Sequence, residues 1–417
     1  MVRYLRAVLF QLHWLLGLGA GLILAVVGVT GALLSYEDAI GEAFDADLIR
    51  VAPRAGDPLT PDALLARFHA QRPDTVANLT LSAEPATAAI VRLGRDPATG
   101  QRPPALYLDP YDGTVRGAAR TEEAFATIRR LHRWLLLPGD GKGWGRTLTG
   151  ASVVALLALL CTGLYLRWPK VMSLRIWLKP HLRQWGRPTY WSLHAVAGTW
   201  VLPVYLVIAL SGLWWSFDGY REVVTALLTR GETITRMADG KPPAEKTNGP
   251  AAGRKDAAAK GEAAGGGRRK DEGLGSAGAP SLDAAWSAFR TADDGHFTRA
   301  TLLLPAGLSG PVRIRSENRN GWRDDTRIEA ASARILVREI GGERPLGVRI
   351  AGNMLDVHSG RIFGPLGPPV FLVAALTMPL FLVTGLLLYI GRRAAKARRR
   401  VQAGVSPTAT SALSPRA

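Results

Sequence analysis

The stretch LHWLLGLGAGLILAVVGVTGALLSY (residues 12–36) aligns without a gap on LHAVAGTWVLPVYLVIALSGLWWSF (193–217), at an offset of 181. His13 falls on His194, Gly17 on Gly198, Thr30-Gly31 on Ser211-Gly212 and Ser35 on Ser216. Each copy is an apolar run whose helix would reach roughly 37 Å, more than the ~30 Å hydrocarbon core of a bilayer. A span that carries a histidine near one end occurs twice, and the rest of the chain is read outward from it.

Two further runs are long enough to cross. The spans are placed at 8–36, 146–166, 190–217 and 363–390. Their flanks are basic: residues 1–12, 167–189 and 391–417 carry fifteen Lys and Arg and no Asp or Glu, within a net charge of +18. Short Lys/Arg-rich flanks stay in the cytoplasm, so both termini and the 167–189 loop are expected inside. Topology absorbs most of the positive charge, which excludes a nucleic-acid reading. The first apolar region exceeds a signal-peptide core and lacks a small-x-small cleavage site, so it reads as a retained helix. One cysteine excludes a disulfide framework and any cysteine-built zinc or iron–sulfur site.

Residues 37–145 and 218–362 are left for the outer side, and both read as small α+β modules. TPDALLARFHAQ (60–71) starts a helix with Thr-Pro and carries the stripe Leu64, Leu65, Phe68. Strand-like runs follow at 88–93 and 105–109, then the turn Asp109-Pro110-Tyr111-Asp112-Gly113. SLDAAWSAFRT (281–291) repeats the helix start, with strand-like runs at 300–304, 311–315, 326–329 and 334–340. Residues 236–280 hold almost no large apolar side chain. They are expected to be a disordered insert, as is the tail beyond about residue 400.

The second and fourth spans share an ending too, CTGLYL (161–166) and VTGLLL (383–388). Asp62 and Phe68 correspond to Asp283 and Phe289. The expected fold is an α-helical membrane protein, a four-helix bundle made by internal duplication and carrying two outer modules. The LHxxxG helix ending in Thr-Gly or Ser-Gly, the DPYDG turn, LHRWLL before the second span and HSGRIFG before the fourth together resemble the PepSY-associated transmembrane family. The resemblance covers nearly the whole chain outside 236–280 and the tail. It implies PepSY-like periplasmic modules and a bacterial inner-membrane location. That family includes haem-containing reductases of ferric siderophores.

The histidines point the same way on their own chemistry. From His13 to Ser35 is 22 residues, roughly 33 Å of helix, which puts His13 and His194 at one face of the membrane. His132 and His358 precede the second and fourth spans, at the opposite face. Ionisable groups inside apolar spans are functional by default. Two His pairs suit two haem b groups, bound through their irons and, without a C-x-x-C-H motif, non-covalently. His181 is the reserve ligand on the inner side, while His69 and His296 read as solvated. Gly17 and Gly198, one turn beyond their histidines, either clear a flat macrocycle or let helices pack closely.

The remaining signals are mostly structural. Trp14, Trp134, Trp144, Trp168, Trp191, Trp214 and Trp215 cluster at span ends as an interfacial belt. Arg129, Arg130, Arg133 and Arg361 could meet propionates, an anionic substrate or water. Cys161 reads as a packing residue in mid-membrane. No dinucleotide fingerprint occurs, so electrons would come from a separate donor, a quinol or a soluble reductase. The resulting expectation is a di-haem reductase of a periplasmic ferric siderophore. The alternatives are a cofactor-free binding or regulatory membrane protein, and a haem subunit serving another redox enzyme.

Overall fold

A computed structural model describes residues 2–96, 100–168, 173–183, 185–229, 281–304, 310–319 and 321–404. The expectations for 236–280 and for the extreme tail lie outside the described residues. The chain divides into two compact units, one of helices and one built around a sheet.

In chain order, α1 (Val2–Ser35), α2 (Glu37–Phe44) and α3 (Ala46–Ile49) lead into α4 (Pro61–Gln71) and strands β1 (Val76–Ser82), β2 (Ala89–Leu93), β3 (Leu106–Leu108) and β4 (Val115–Ala118). The chain continues through α5 (Glu122–Trp134), α6 (Trp144–Arg167), α7 (Leu174–Leu178), α8 (Arg187–Ser216) and α9 (Asp218–Thr229). Then come α10 (Leu282–Asp293), β5 (Phe297–Leu303), β6 (Val312–Asn318), β7 (Arg323–Ile328) and β8 (Ile335–Glu339). The last elements are α11 (Leu346–Gly352), α12 (Met354–His358), α13 (Gly367–Leu376) and α14 (Met378–Gly404).

Among the described residues, four helical segments are long and apolar enough to cross a membrane: Arg3–Ser35, Trp144–Arg167, Arg187–Ser216 and Gly367–Arg399. α1 packs on α6 and α14, and α8 packs on the same two, so α1 and α8 are diagonal partners. Ala20, Leu24, Leu156, Val201, Tyr205, Ala209, Ala374 and Met378 fill the middle of this bundle. Its outer surface stays apolar, with Leu22 and Val373 more than 60% exposed, as a lipid-facing surface requires. Cys161 belongs to that exposed surface, which corrects its reading as a packing residue. The fourth span begins at Gly367, later than expected, and is broken between α13 and α14. Pro379 supplies no N–H for Ala375 O. Beside the break, Tyr205 donates its hydroxyl to Ala374 O at 2.8 Å and lies 2.7 Å from Thr377 Oγ1. A Cβ at Gly28 would meet Ala375 O at 2.7 Å, so that glycine is needed for close packing against the bend.

The sheet unit corrects the expectation of two modules. Among the described residues, eight strands form one sheet ordered β4-β3-β2-β1-β5-β6-β7-β8, antiparallel from β3 to β8. β1 and β5 join the halves, with Leu79 opposite Leu302 and Thr80 opposite Thr301, whose hydroxyls meet at 2.9 Å. β1 is easy to miss because Asn78 and Thr80 alternate with buried Leu79 and Leu81, so its apolar signal comes from one face only. Phe68 on α4 and Phe289 on α10 share one core with Leu79, Val91, Leu108, Leu302, Ile314 and Ile328, all at most 2% exposed.

The two helices of this unit cap each other. Asp62 of α4 accepts from Ser281 Oγ at 2.9 Å and from the Asp283 amide at 3.1 Å, while Asp283 of α10 accepts from Thr60 Oγ1 at 2.7 Å and from the Asp62 amide at 2.8 Å. Each carboxylate thus satisfies orphan N–H groups at the other helix's start. Asp62→Ala should speed hydrogen exchange at the Asp283 amide by about fivefold, and Asp283→Ala at the Asp62 amide, since a lost cap costs ~1 kcal/mol. Acceleration confined to the substituted helix would contradict the crossed arrangement.

Candidate functional site

Four of the Thr-Gly or Ser-Gly dipeptides on the spanning helices, Thr30-Gly31, Thr162-Gly163, Ser211-Gly212 and Thr384-Gly385, each hold one histidine from another helix. The histidines reach them in two ways. His13 and His194 belong to α1 and α8 themselves, whereas His132 ends α5, which packs on α1, and His358 ends α12, which packs on α8.

At the first pair, His13 Nδ1 is 2.8 Å from Thr162 Oγ1 on α6, and His194 Nδ1 is 2.8 Å from Thr384 Oγ1 on α14. Thr162 donates its own proton to Ala158 O at 2.7 Å and Thr384 donates to Leu380 O at 2.6 Å. Both hydroxyls therefore accept from Nδ1–H, and the lone pair of each imidazole is left at Nε2. The second pair repeats this. His132 Nδ1 is 3.1 Å from Thr30 Oγ1 and 3.0 Å from Val27 O on α1, and His358 Nδ1 is 2.9 Å from Ser211 Oγ on α8. Thr30 donates to Val26 O at 2.7 Å and Ser211 to Val207 O at 2.6 Å. All four hydroxyl residues are at most 6% exposed, so these bonds are made away from water.

The glycines of the dipeptides are the seats of the rings. A Cβ at Gly31 would lie 3.0 Å from His132 Cε1, one at Gly163 3.2 Å from His13 Cε1, and one at Gly212 3.4 Å from His358 Cε1. Gly385 leaves 3.8 Å to His194 Cε1.

Both pairs have the same spacing. Ring centroids of His13 and His194 are 6.3 Å apart with planes at 73°, and those of His132 and His358 are 6.3 Å apart at 69°. Two imidazoles in line on one metal, each bonded at about 2 Å, put their centroids roughly 6 Å apart. Seventeen residues separate His13 from Thr30, and seventeen separate His194 from Ser211, so the pairs stand roughly 25 Å apart along the helices. Burial drives the His132 and His358 imidazolium pKa values down to about 4. At neutral pH both rings are uncharged, the form that binds a metal.

Whether these residues suit a haem turns on their donors and on the space beside them. Among the described residues, no group of three or more His, Cys, Asp or Glu is placed to hold a metal ion. Two imidazoles alone suit an iron whose remaining ligands come from its own macrocycle. The ambiguity at Gly17 and Gly198 is also reduced. A Cβ would meet only Leu159 Cδ2 at 3.9 Å and Phe381 Cε1 at 3.7 Å, so helix packing does not demand glycine at either position. The donor set fits the group.

The other histidines stay outside. His69, His181 and His296 are exposed; the His181 amide donates to Ser192 Oγ at 2.7 Å and His296 Nδ1 lies 2.6 Å from Asp293 O. Arg129 pairs with Glu37, Arg130 lies 3.5 Å from Asp140, and Arg361 lies 3.5 Å from Asp38, while Arg133 covers the Trp134 ring at 4.7 Å. Trp215 sets its edge against His358 at 5.4 Å, and Phe381 does the same to His194 at 5.2 Å. Trp144, Trp168 and Trp191 are more than half exposed, as belt residues are. Sequence reasoning found the histidines but missed the four hydroxyls that hold them. The available signal was positional, a Thr-Gly or Ser-Gly dipeptide near the C-terminal end of every span.

These features define a class, a helical membrane protein whose bundle secures two pairs of histidines about one bilayer thickness apart. The sequence profile of the PepSY-associated TM region matches residues 10–392, and the chain belongs to that family. Among curated proteins, none matches the chain.

Proposed function

We propose that this protein is a di-haem reductase of the bacterial inner membrane, moving electrons across the bilayer to release iron from a periplasmic ferric siderophore. The observation that carries the reading is the doubled histidine pair, with equal 6.3 Å spacing and every Nδ1 engaged. His13 and His194 would hold one haem b, and His132 and His358 the other. Bound haem supplies one-electron chemistry that side chains lack.

The chain's own residues do the rest. The hydroxyls of Thr162, Thr384 and Ser211 set the tautomer at three rings and Val27 O is available to set it at His132, the glycines admit the rings, and the apolar bundle keeps water from both pairs. The substrate is Fe(III) in an oxygen-donor chelate. One electron per iron gives Fe(II), which such hard ligands hold more weakly, and the electron comes from a separate quinol or soluble reductase. The basic flanks orient the protein with both termini in the cytoplasm. The corresponding spans, strands and caps of the two halves are read as an internal duplication of a PepSY-bearing unit.

Protein purified in detergent from haem-replete cells should carry about two non-covalent haems per chain, with a Soret band that shifts on dithionite reduction. A colourless, intact preparation would reject this function in favour of a cofactor-free binding protein. Haem without reduction of any ferric chelate would favour a haem subunit of another enzyme.

A further inference from the structure

We propose that Thr162 and Thr384 are indispensable positioning residues for the first histidine pair, whereas Thr30 is a dispensable one at the second. The inference rests on the haem reading above and concerns what makes each imidazole a ligand.

A neutral imidazole has one nitrogen that carries the proton and one that binds metal, and the partner of the first decides which is which. Outer-shell partners of this kind typically govern metal affinity by about 10- to 100-fold. In the bundle that partner is a hydroxyl made one-sided by its own helix. Thr162 and Thr384 spend their protons on Ala158 O and Leu380 O, so towards His13 and His194 they only accept. Among the described residues, those hydroxyls are the sole hydrogen-bond partners of the two rings. Without Thr162 the ring of His13 would have no acceptor for Nδ1–H in an apolar span. The other tautomer would then cost nothing extra, and its Nε2 carries a proton instead of a lone pair.

His132 is built differently. Its Nδ1 is shared between Thr30 Oγ1 at 3.1 Å and Val27 O at 3.0 Å. The carbonyl belongs to the backbone of α1 and can only accept. Loss of the Thr30 hydroxyl therefore leaves the tautomer fixed. Thr30 thus has less weight than Thr162 or Thr384, a difference that side-chain identity alone does not reveal.

Threonine to valine keeps the β-branched shape and removes the hydroxyl, which separates hydrogen bonding from packing. The test uses the full-length chain in detergent, with haem content, haem affinity and the Soret spectrum read for the parent and for Thr162→Val, Thr384→Val, Thr30→Val and Thr162→Ser. Thr162→Val and Thr384→Val should each weaken one haem by about 10- to 100-fold and leave the other bound. The retained haem reports that the bundle is folded. Thr30→Val should stay within about twofold of the parent, because Val27 O remains, and Thr162→Ser should restore parental binding. Parental affinity and spectrum in Thr162→Val and Thr384→Val would overturn the proposal while leaving the haem reading intact. A loss in Thr30→Val as large as in Thr162→Val would overturn the asymmetry. A parent that binds no haem would instead bring down the reading on which the inference depends.

Discussion

His194→Ala should remove about half of the haem from the purified protein, and His358→Ala the other half. Each substitution takes away one of the two imidazoles that would hold a haem at its pair and leaves the second ring, still held by its hydroxyl, alone. His194 has no substitute near by. The reserve candidate His181 is exposed, and the ring edge of Phe381 offers no donor atom. The pairs lie roughly 25 Å apart along the helices, so damage at one should not spread to the other. Spectra of the two variants should therefore be complementary, and His194→Ala combined with His358→Ala should lose nearly all of the haem. If all four single variants, His13→Ala and His132→Ala included, kept parental haem content and spectrum, the ligand set would be wrong.

The physics of single segments explains which parts of the molecule the sequence disclosed. α1, α6 and α8 are continuous apolar runs, and their observed ends differ from the expected ones by only a few residues apart from the basic start of α1. The fourth span depends on Pro379 and on a tertiary repair by Tyr205, so its break is invisible to an average of hydropathy. The strand runs near 88–93, 105–109, 300–304 and 334–340 stood out because β-branched and leucine residues cluster there. β1 did not, since half of its side chains are polar, and β4 is only four residues long. That the two halves share one sheet follows from β1 pairing with β5 across 221 positions, a contact no local pattern encodes.

The site divides along the same line. His13 and His194 were legible as polar residues repeated in apolar helices, a local signal. Their hydroxyl partners lie 149 and 190 positions away. Thr162-Gly163 and Thr384-Gly385 were visible only as a shared helix ending. Only the fold shows that the hydroxyl bonds one atom of a ring while the glycine beside it makes room for another. The reciprocal caps of Asp62 and Asp283 are a similar case, because each residue by itself is an ordinary acidic group in a helix's first turn.

A vesicle experiment tests direction and should give the largest effect of all. The flanks with fifteen basic residues and no acidic ones face the cytoplasm in the proposed orientation. His13 and His194 then lie at the inner end of the bundle, and His132 and His358 at the outer end. With the electron donor enclosed inside, an impermeant ferric siderophore outside should be reduced by the parent protein. His194→Ala should nearly abolish that reduction, because the inner end loses its complete ligand pair while ~30 Å of hydrocarbon still separates donor from acceptor. A reductant added outside should still change the Soret band of the pair His132 and His358 in the same variant. Thr30→Val, which leaves Val27 O on His132, should transfer electrons at a rate close to the parent's. Undiminished reduction from inside in His194→Ala vesicles would break the series arrangement even in a protein that binds two haems, since electrons would then reach the outer end without the inner pair.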